Sequence, residues 1–280
     1  MFLYLTFFVL SILALILLFY GTITCPFLME LDERELFFEN LPLELDGKTI
    51  FFCGDLHLRQ WDYRILWVQH KILETKADLI LFSGDIVEES GISLLQDFLT
   101  PLSAPLGMCF VPGNNENGLK EKSEVFSMFE NVGFEVLLNS SFRICPGAVV
   151  AGTDDPSRNH DDLAGALENI QESDGTLSGN VLDEDFVIAL THSPELFPHC
   201  IEKKIPLTLC GHTHGGQVRL PYIGAVWIDT PRTKGKYDAG IFDEEGCKLI
   251  VTRGVGMSKL PVRCLCNPEV HLFTLRKAIS

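Results

Sequence analysis

An α/β fold, with its strands gathered in an open sheet, is predicted by three features of this sequence. Short apolar runs rich in β-branched and aromatic residues alternate with stretches of helical period. Several of these runs stop at a glycine beside Asp, Asn or His, and the same ending recurs in the second half of the chain. In an open α/β sheet the carboxyl ends of strands line one edge, where ligands bind, so such endings are brought together from distant parts of the chain.

Residues 2–20, FLYLTFFVLSILALILLFY, contain no Asp, Glu, Lys or Arg, and the first such residue is Glu30. A helix of this length spans a bilayer. A signal peptide would carry a basic n-region and a small-residue cleavage site, and neither is found here. Residues 1–29 are therefore expected to be an uncleaved, single-pass membrane anchor, and residues 30–280 one domain. Arg34 alone marks orientation, too little for the positive-inside rule. The 9 cysteines are odd in number, and Cys53, Cys109 and Cys210 lie in strongly apolar runs, as small core residues do. That disfavours a secreted disulfide framework and points to the cytoplasmic face of the inner (cytoplasmic) membrane.

After a short acidic segment, Glu30 to Glu39, Lys48 to Cys53 reads as a strand ending at Gly54-Asp55. Residues 62–75 read as a helix, with Ile65, Val68 and Ile72 on one face. Strands are predicted at Asp78 to Ser83, ending at Gly84-Asp85, and at Leu106 to Val111, ending at Pro112-Gly113-Asn114. A helix is expected over Asp161 to Gln171 and a loop over Ser173 to Asn180. Phe186 to Leu190 leads into Thr191-His192, and Ile205 to Cys210 leads into Gly211-His212-Thr213-His214.

Asp55, His57, Asp85, Asn114, His192, His212 and His214 thus follow strand ends. Asp55 and His57, two apart, would project to one side of an extended strand end and reach one ion. Asp85 suits a bridge between two ions, since a carboxylate has two oxygens. Asn114, His192 and His212 would complete the second ion, and His214 returns to the first. This mixture of carboxylate, amide and imidazole suits Mn, Fe or Zn, with Mg also open, and the missing thiolate argues against structural zinc. Two manganese ions are the expected pair. Divalent ions roughly 3.5 to 4 Å apart activate water and clamp a phosphoryl group for in-line attack, so the reaction expected is metal-dependent hydrolysis of a phosphoric ester.

The ordered motifs DLH, GD, GNNE, THSPE and GHTHGGQ resemble those of the calcineurin-like metallophosphoesterases over roughly residues 48–275. The resemblance implies a four-layer α-β-β-α sandwich with a dinuclear site at one edge. Gly152-Thr153-Asp154-Asp155-Pro156 and the tail from Arg253 through Arg263 to Glu269 are similar to the membrane-associated branch of that family. That branch includes bacterial phosphodiesterases and a UDP-2,3-diacylglucosamine diphosphatase of lipid A synthesis. Arg253 and Arg263 are expected to meet phosphate or sugar, as guanidinium forks do. Asp154 and Asp155, before a proline, read as turn residues, and Asp183 to Asp185 as a solvated turn.

One position departs from the family pattern: Asn115 stands where many members have His. Asn is no general acid, although it can donate a hydrogen bond to a phosphoryl oxygen as charge builds there. A phosphate monoester leaving group, with second pKa near 6, departs unprotonated more readily than an alkoxide. Asn115, the anchor and the narrower resemblance together favour hydrolysis of a lipid-linked diphosphate, UDP-2,3-diacylglucosamine, to UMP and 2,3-diacylglucosamine 1-phosphate, at the membrane. The alternatives are a general phosphodiesterase or phosphatase acting on soluble or cell-wall phosphates, and a noncatalytic interaction protein that keeps the fold. A net charge of −16 leaves no basic footprint for nucleic acid.

Overall fold

The computed structural model describes residues 2–171 and 179–278. Helix α1, Phe2–Phe19, carries no charged residue and is apolar except at Thr6 and Ser11. It continues through a π turn, Tyr20–Thr24, and a short 3-10 turn, Cys25–Phe27. The stretch Tyr4–Phe27 is long and apolar enough to cross a membrane, and its side chains up to Phe19 are mostly exposed.

The remainder follows in order as β1 (Glu30–Phe38), β2 (Thr49–Cys53), α2 (Tyr63–Thr75), β3 (Leu79–Phe82), α3 (Ile92–Leu99), β4 (Met108–Phe110), α4 (Lys122–Asn131) and β5 (Phe134–Val136). Then come β6 (Ser140–Cys145), β7 (Ala148–Gly152), α5 (Leu163–Glu168), β8 (Ile170–Gln171), β9 (Phe186–Leu190), α6 (Phe197–Glu202) and β10 (Leu207–Cys210). The chain closes with β11 (Arg219–Leu220), β12 (Gly224–Ala225), β13 (Gly240–Glu244), β14 (Cys247–Val251) and β15 (Glu269–Lys277).

Two mixed sheets result, ordered β1-β15-β2-β3-β4-β5 and β13-β14-β10-β9-β7-β6-β8. Side chains alternate across each strand, and that alternation builds the layers. Ile50, Phe52, Leu79, Leu81 and Cys109 of the first sheet meet Val150, Ile188, Leu190, Leu207 and Ile250 of the second in one inter-sheet core. The opposite faces turn to helices: Phe51, Ile80, Phe82 and Phe110 pack on Ile65, Val68, Phe98 and Phe129, and Val149, Val187 and Leu249 on Leu163, Phe197 and Cys200. The four-layer α-β-β-α arrangement is thus present. Helix α2 begins where expected because Asp62 caps it, accepting from Arg64 N and Ile65 N.

Three local features differ from the sequence reading. The short acidic segment after the anchor, to which no element was assigned, forms β1, parallel to β15. Glu33, Arg34 and Glu35 are exposed, Glu30 and Asp32 pair with Arg253 and His271, and Leu36 and Phe38 enter the inter-sheet core, a composition that suits a protected edge strand. The helix begun near residue 161 ends at Glu168 and gives way to β8, and most of the loop expected over Ser173 to Asn180 lies outside the described residues. Asp185 is buried rather than solvated, paired with Arg143 at 3.1 Å and accepting from Leu182 N. Asp154 and Asp155 are turn residues, Asp155 capping the 3-10 turn Pro156–Arg158. All nine cysteines are free, and Cys53, Cys109 and Cys210 are buried.

Candidate metal centre

β2, β3 and β4 run parallel in one sheet, and β9 and β10 run parallel in the other, so their carboxyl ends deliver the loops that carry the ligand candidates to one place. The loops interlock closely. A Cβ on Gly84 would lie 2.4 Å from Gly113 N, and one on Gly113 would lie 2.2 Å from Asp85 Oδ1, so neither position has room for a side chain. Glu116, fully buried, holds the loops together by accepting from the backbone N–H groups of Asp85, Ile86, Val87 and Gly113.

Asp55 and His57 do not leave the strand in extended conformation as the sequence reading supposed. Both have left-handed φ, 49° and 50°, as do Asp85, His212 and His214. Non-glycine residues persist there only when their surroundings fix them, and such positions concentrate at functional sites. The backbone curls so that Asp55, His57 and His214 present ligand atoms within 4.8 Å of one another, and so do Asp55, Asp85 and His192.

Hydrogen bonds set which ring nitrogen of each imidazole faces inward. His57 Nδ1 donates to Glu88 Oε1 at 2.7 Å, leaving Nε2 3.1 Å from His214 Nε2 and 3.8 Å from Asp85 Oδ2. His192 Nδ1 donates to Ser83 O at 2.8 Å, and His212 Nε2 to Asp229 O at 3.1 Å. The free atoms His192 Nε2, His212 Nδ1 and Asn114 Oδ1 then converge, each 3.1 Å from the other two. Asp85 offers one oxygen to each group, Oδ2 toward His57 and Oδ1, 3.6 Å away, toward His192.

These residues fit divalent cations. Three lone-pair atoms facing one another at hydrogen-bond distance have too few protons to satisfy them all, and Asp55 Oδ1, 3.7 Å from His214 Nε2, is buried without a hydrogen-bond partner. The electrostatics agree. Burial, with Asp85 nearby, pushes the Asp55 carboxyl up to about 6 against the pull of His192 and His57. Burial pushes His192 down, but Asp85, Asp155 and Asp55 outweigh it and bring it to about 9. Burial also works against a proton on His57, but Glu88, Asp85 and Asp55 together raise it. His214 and His212 are lowered, first by burial and then by their imidazole neighbours, and stay neutral as ligands require.

The sequence reading is corrected at the two arginines. Arg263 is 0 % exposed and donates to the carbonyls of Arg253, Gly254, Gly256 and Cys266. It meets no open space where a substrate would lie. Arg253 is paired with Glu30 and Glu269 and lines a separate cavity beside Asp32 and His271. Together they brace the Arg253–Gly256 segment, whose Val255 and Gly256 N–H groups donate to Asp55 O. A Cβ on Gly256 would lie 2.6 Å from His57 Cβ, so the glycine-rich segment is the backing of the ligands. Asn115 donates its backbone N–H to Asp85 Oδ1, and its Nδ2 lies 2.8 Å from His57 Nδ1 and 3.1 Å from Glu88 Oε1.

Sequence reasoning missed Glu88, which no motif marks, and the walls of the cavity above the centre. That cavity, about 540 Å³, has Asp85, Asn114, His212 and His214 in its lining. Arg158, whose Nη2 donates to Asn114 O at 2.9 Å, and Lys259, paired with Asp229, bring guanidinium and ammonium groups to it beside Glu195, while Val226, Trp227, Leu260 and Val262 form an apolar side. His70, His160 and His199 are exposed, and His271 is buried between Asp32 and Glu269, away from the centre.

Fold and site together define a metal-dependent phosphoesterase. Residues 48–216 match the model of the calcineurin-like phosphoesterase family. The chain is 31% identical over 263 residues, 90% of its length and 87% of the relative's, to the uncharacterized metallophosphoesterase YkuE of Bacillus subtilis. It is 30% identical to the phosphodiesterase YaeI of Escherichia coli, covering 81% of each chain. A zebrafish (Danio rerio) transmembrane protein with a metallophosphoesterase domain is 25% identical over 95% of this chain and 62% of its own. The protein belongs to the calcineurin-like phosphoesterase family and is a hydrolase.

Proposed function

We propose that the protein hydrolyses phosphodiesters, with Asp55, His57 and His214 holding one divalent ion, Asn114, His192 and His212 a second, and Asp85 joining them. The observation that carries this reading is the pair of buried ligand groups that share Asp55, with Asp85, Asn114, His212 and His214 reaching the lining of the cavity. When bound, such ions activate water and neutralise phosphoryl charge. The protein's own residues do the rest. Arg158 and Lys259 would orient the non-reacting phosphate oxygen, and Trp227 with Val226 and Leu260 would receive the apolar part of an ester group and keep water off it. Asn115, on the His57 side, lends an amide dipole but no transferable proton, which suits esters with good leaving groups. A name for activity among the relatives, phosphodiesterase for YaeI, supports this broader reading.

A second reading, the lipid-linked diphosphate UDP-2,3-diacylglucosamine, draws support from the apolar wall of the cavity and from the apolar N-terminal helix, and the zebrafish relative's name also joins such a domain to a transmembrane protein. In this reading α1 is an uncleaved anchor in the inner membrane and the domain faces the cytoplasm. Manganese is the ion we expect at both positions.

The test is hydrolysis of bis(p-nitrophenyl) phosphate and of UDP-2,3-diacylglucosamine by metal-stripped protein resupplied with Mn, Zn, Fe or Mg. Diester cleavage restored by a divalent ion and lost in Asp85→Ala supports the proposal. Equal activity in Asp85→Ala would overturn it, and preferential release of UMP would favour the second reading.

A further inference from the structure

The helix that leads from the N-terminus is joined to the cavity wall by an unbroken series of contacts. Gly21 O, at the end of the apolar span, accepts from Arg263 N at 2.8 Å. A Cβ there would meet Val262 Cγ2 at 2.9 Å, and Cys25 is wholly buried with its thiol on Asn267. Val262 and Leu260 line the cavity. Cys264, two residues on, donates to Gln217 O at 2.8 Å and accepts from Arg219 N at 2.9 Å, which fixes the start of the β11–β12 hairpin. Val226 N returns to Val218 O at 3.0 Å. Helix end, cavity wall and hairpin are therefore one hydrogen-bonded unit.

This unit exposes apolar side chains that the domain leaves uncovered. Ile223 is 73% exposed, Leu260 64%, Val226 and Trp227 58% each, and Tyr222 at the tip is fully exposed with left-handed φ. Scattered apolar residues on a surface are ordinary, but a contiguous patch beside a cavity marks an interaction site. The charge distribution singles out its partner. In a chain of net charge −16, residues 1–29, 203–228 and 246–268 contain no Asp or Glu, and these segments supply most of this face, with Asp229 at its cavity edge. Lys259, stacked 4.5 Å above the Trp227 ring and paired with Asp229 at 3.3 Å, places its ammonium at the rim. Aromatic rings flanked by a basic side chain, continuous with a membrane-length apolar helix, suit the interfacial layer of a bilayer, where Trp and Tyr gather.

We propose that the β11–β12 hairpin, with Val226, Trp227 and Leu260, seats in the interfacial layer of the membrane that α1 enters, so that the cavity opens onto the phosphate plane of the bilayer. The cavity's being the catalytic one rests on the function proposed above, and the substrate class that follows is an ester of an amphiphilic phosphate, reached without leaving the lipid surface.

The full chain reconstituted in nanodiscs of phosphatidylcholine with a minority of phosphatidylglycerol tests the seating directly. In a Trp61→Phe, Trp67→Phe protein, Trp227 is the remaining fluorophore. Lipids brominated near the head of the acyl chain should reduce its emission about twofold relative to unbrominated discs, since interfacial side chains sit roughly 5–10 Å into the boundary layer. Equal emission in the two discs would overturn the proposal. A second variant, Tyr222→Glu with Ile223→Glu, lies on the exposed tip outside the cavity lining. It should cleave soluble bis(p-nitrophenyl) phosphate as the parent does and lose about tenfold on hexadecyl p-nitrophenyl phosphate embedded in vesicles, about 1.4 kcal/mol of surface association. An equal rate on both esters, or an equal loss on both, refutes the seating. Failure of the parent protein to cleave either ester would sink the catalytic reading alone, with quenching still deciding the seating.

Discussion

His57 and Glu88 share a 2.7 Å hydrogen bond between Nδ1 and Oε1, and through it the imidazole turns Nε2 toward His214. A carboxylate behind a metal-binding histidine fixes its tautomer and raises its basicity, and losing such a partner costs about 10- to 100-fold in metal affinity or activity. Glu88→Ala should therefore need about tenfold or more extra metal to reach half-maximal activity, read as a titration of rate against metal concentration. Glu88→Gln, which keeps an acceptor oxygen, should fall between. An unchanged metal titration in Glu88→Ala would show that the ring is oriented by something else.

Arg263 should behave as a structural residue. In Arg263→Met the carbonyls of Arg253, Gly254 and Gly256 lose their donor inside the protein. Buried groups left unpaired cost about 1–3 kcal/mol each, so a loss of about 3 to 5 kcal/mol is expected on chemical denaturation. Metal affinity should fall with it, because the same segment backs Asp55 and His57. A variant of ordinary stability that fails only on substrate would restore the substrate-contact role.

Replacing Asn115 tests leaving-group chemistry. Asn115→His places an imidazole beside His57 and Glu88, where the amide now lies. General acid assistance contributes about 10²–10⁴-fold, so the variant should gain on alkyl esters relative to p-nitrophenyl esters. A constant ratio between the two would mean that water protonates the leaving oxygen in the parent protein.

A pH dependence arises from His271, Asp32 and Glu269. The His271 hydrogen bond, with Arg34 beside it, brings Asp32 to about 2 despite burial. Burial pushes Glu269 up, but His271 and Arg253 bring it to about 2. Depressed carboxylates stabilise the fold above their ordinary values of 3.8 and 4.5 and lose that contribution as pH falls toward 2. His271 is pushed down by burial but raised on balance by Asp32 and Glu269, so its share is present below its ordinary value of 6.5 and fades as pH rises through its value in the fold. Thermal melts across pH should decline at both ends, and His271→Gln should flatten both declines. Parallel melting curves for the two proteins would rule out this cluster as the source.

Much of the sandwich was readable because its central strands are continuous apolar runs closed by glycine, as parallel strands buried on both faces must be. The ligand candidates were readable for the same reason, standing at those strand ends. What was not readable depends on contacts between distant segments. Glu30–Phe38 carries too many charges to read as a strand until β15 lies beside it. Arg263 looks like a substrate fork until the carbonyls it holds are seen, and Glu88 is marked only by the ring it orients. Asp55 and His57 converge as the spacing suggested, but through left-handed backbone, which residue spacing does not encode.

The position of β15 sets an order on assembly. It lies between β1 and β2, with Glu269 opposite Glu30 and His271 opposite Phe52. The first sheet therefore cannot close until residues 269–277 have left the ribosome, and the earliest strands wait with unpaired edges. Contacts of such long sequence separation form slowly and leave a chain prone to mispairing in the interval. A nascent chain held at its N-terminus by an inserted helix would search a restricted volume for its last strand, so synthesis at the membrane would also help it fold.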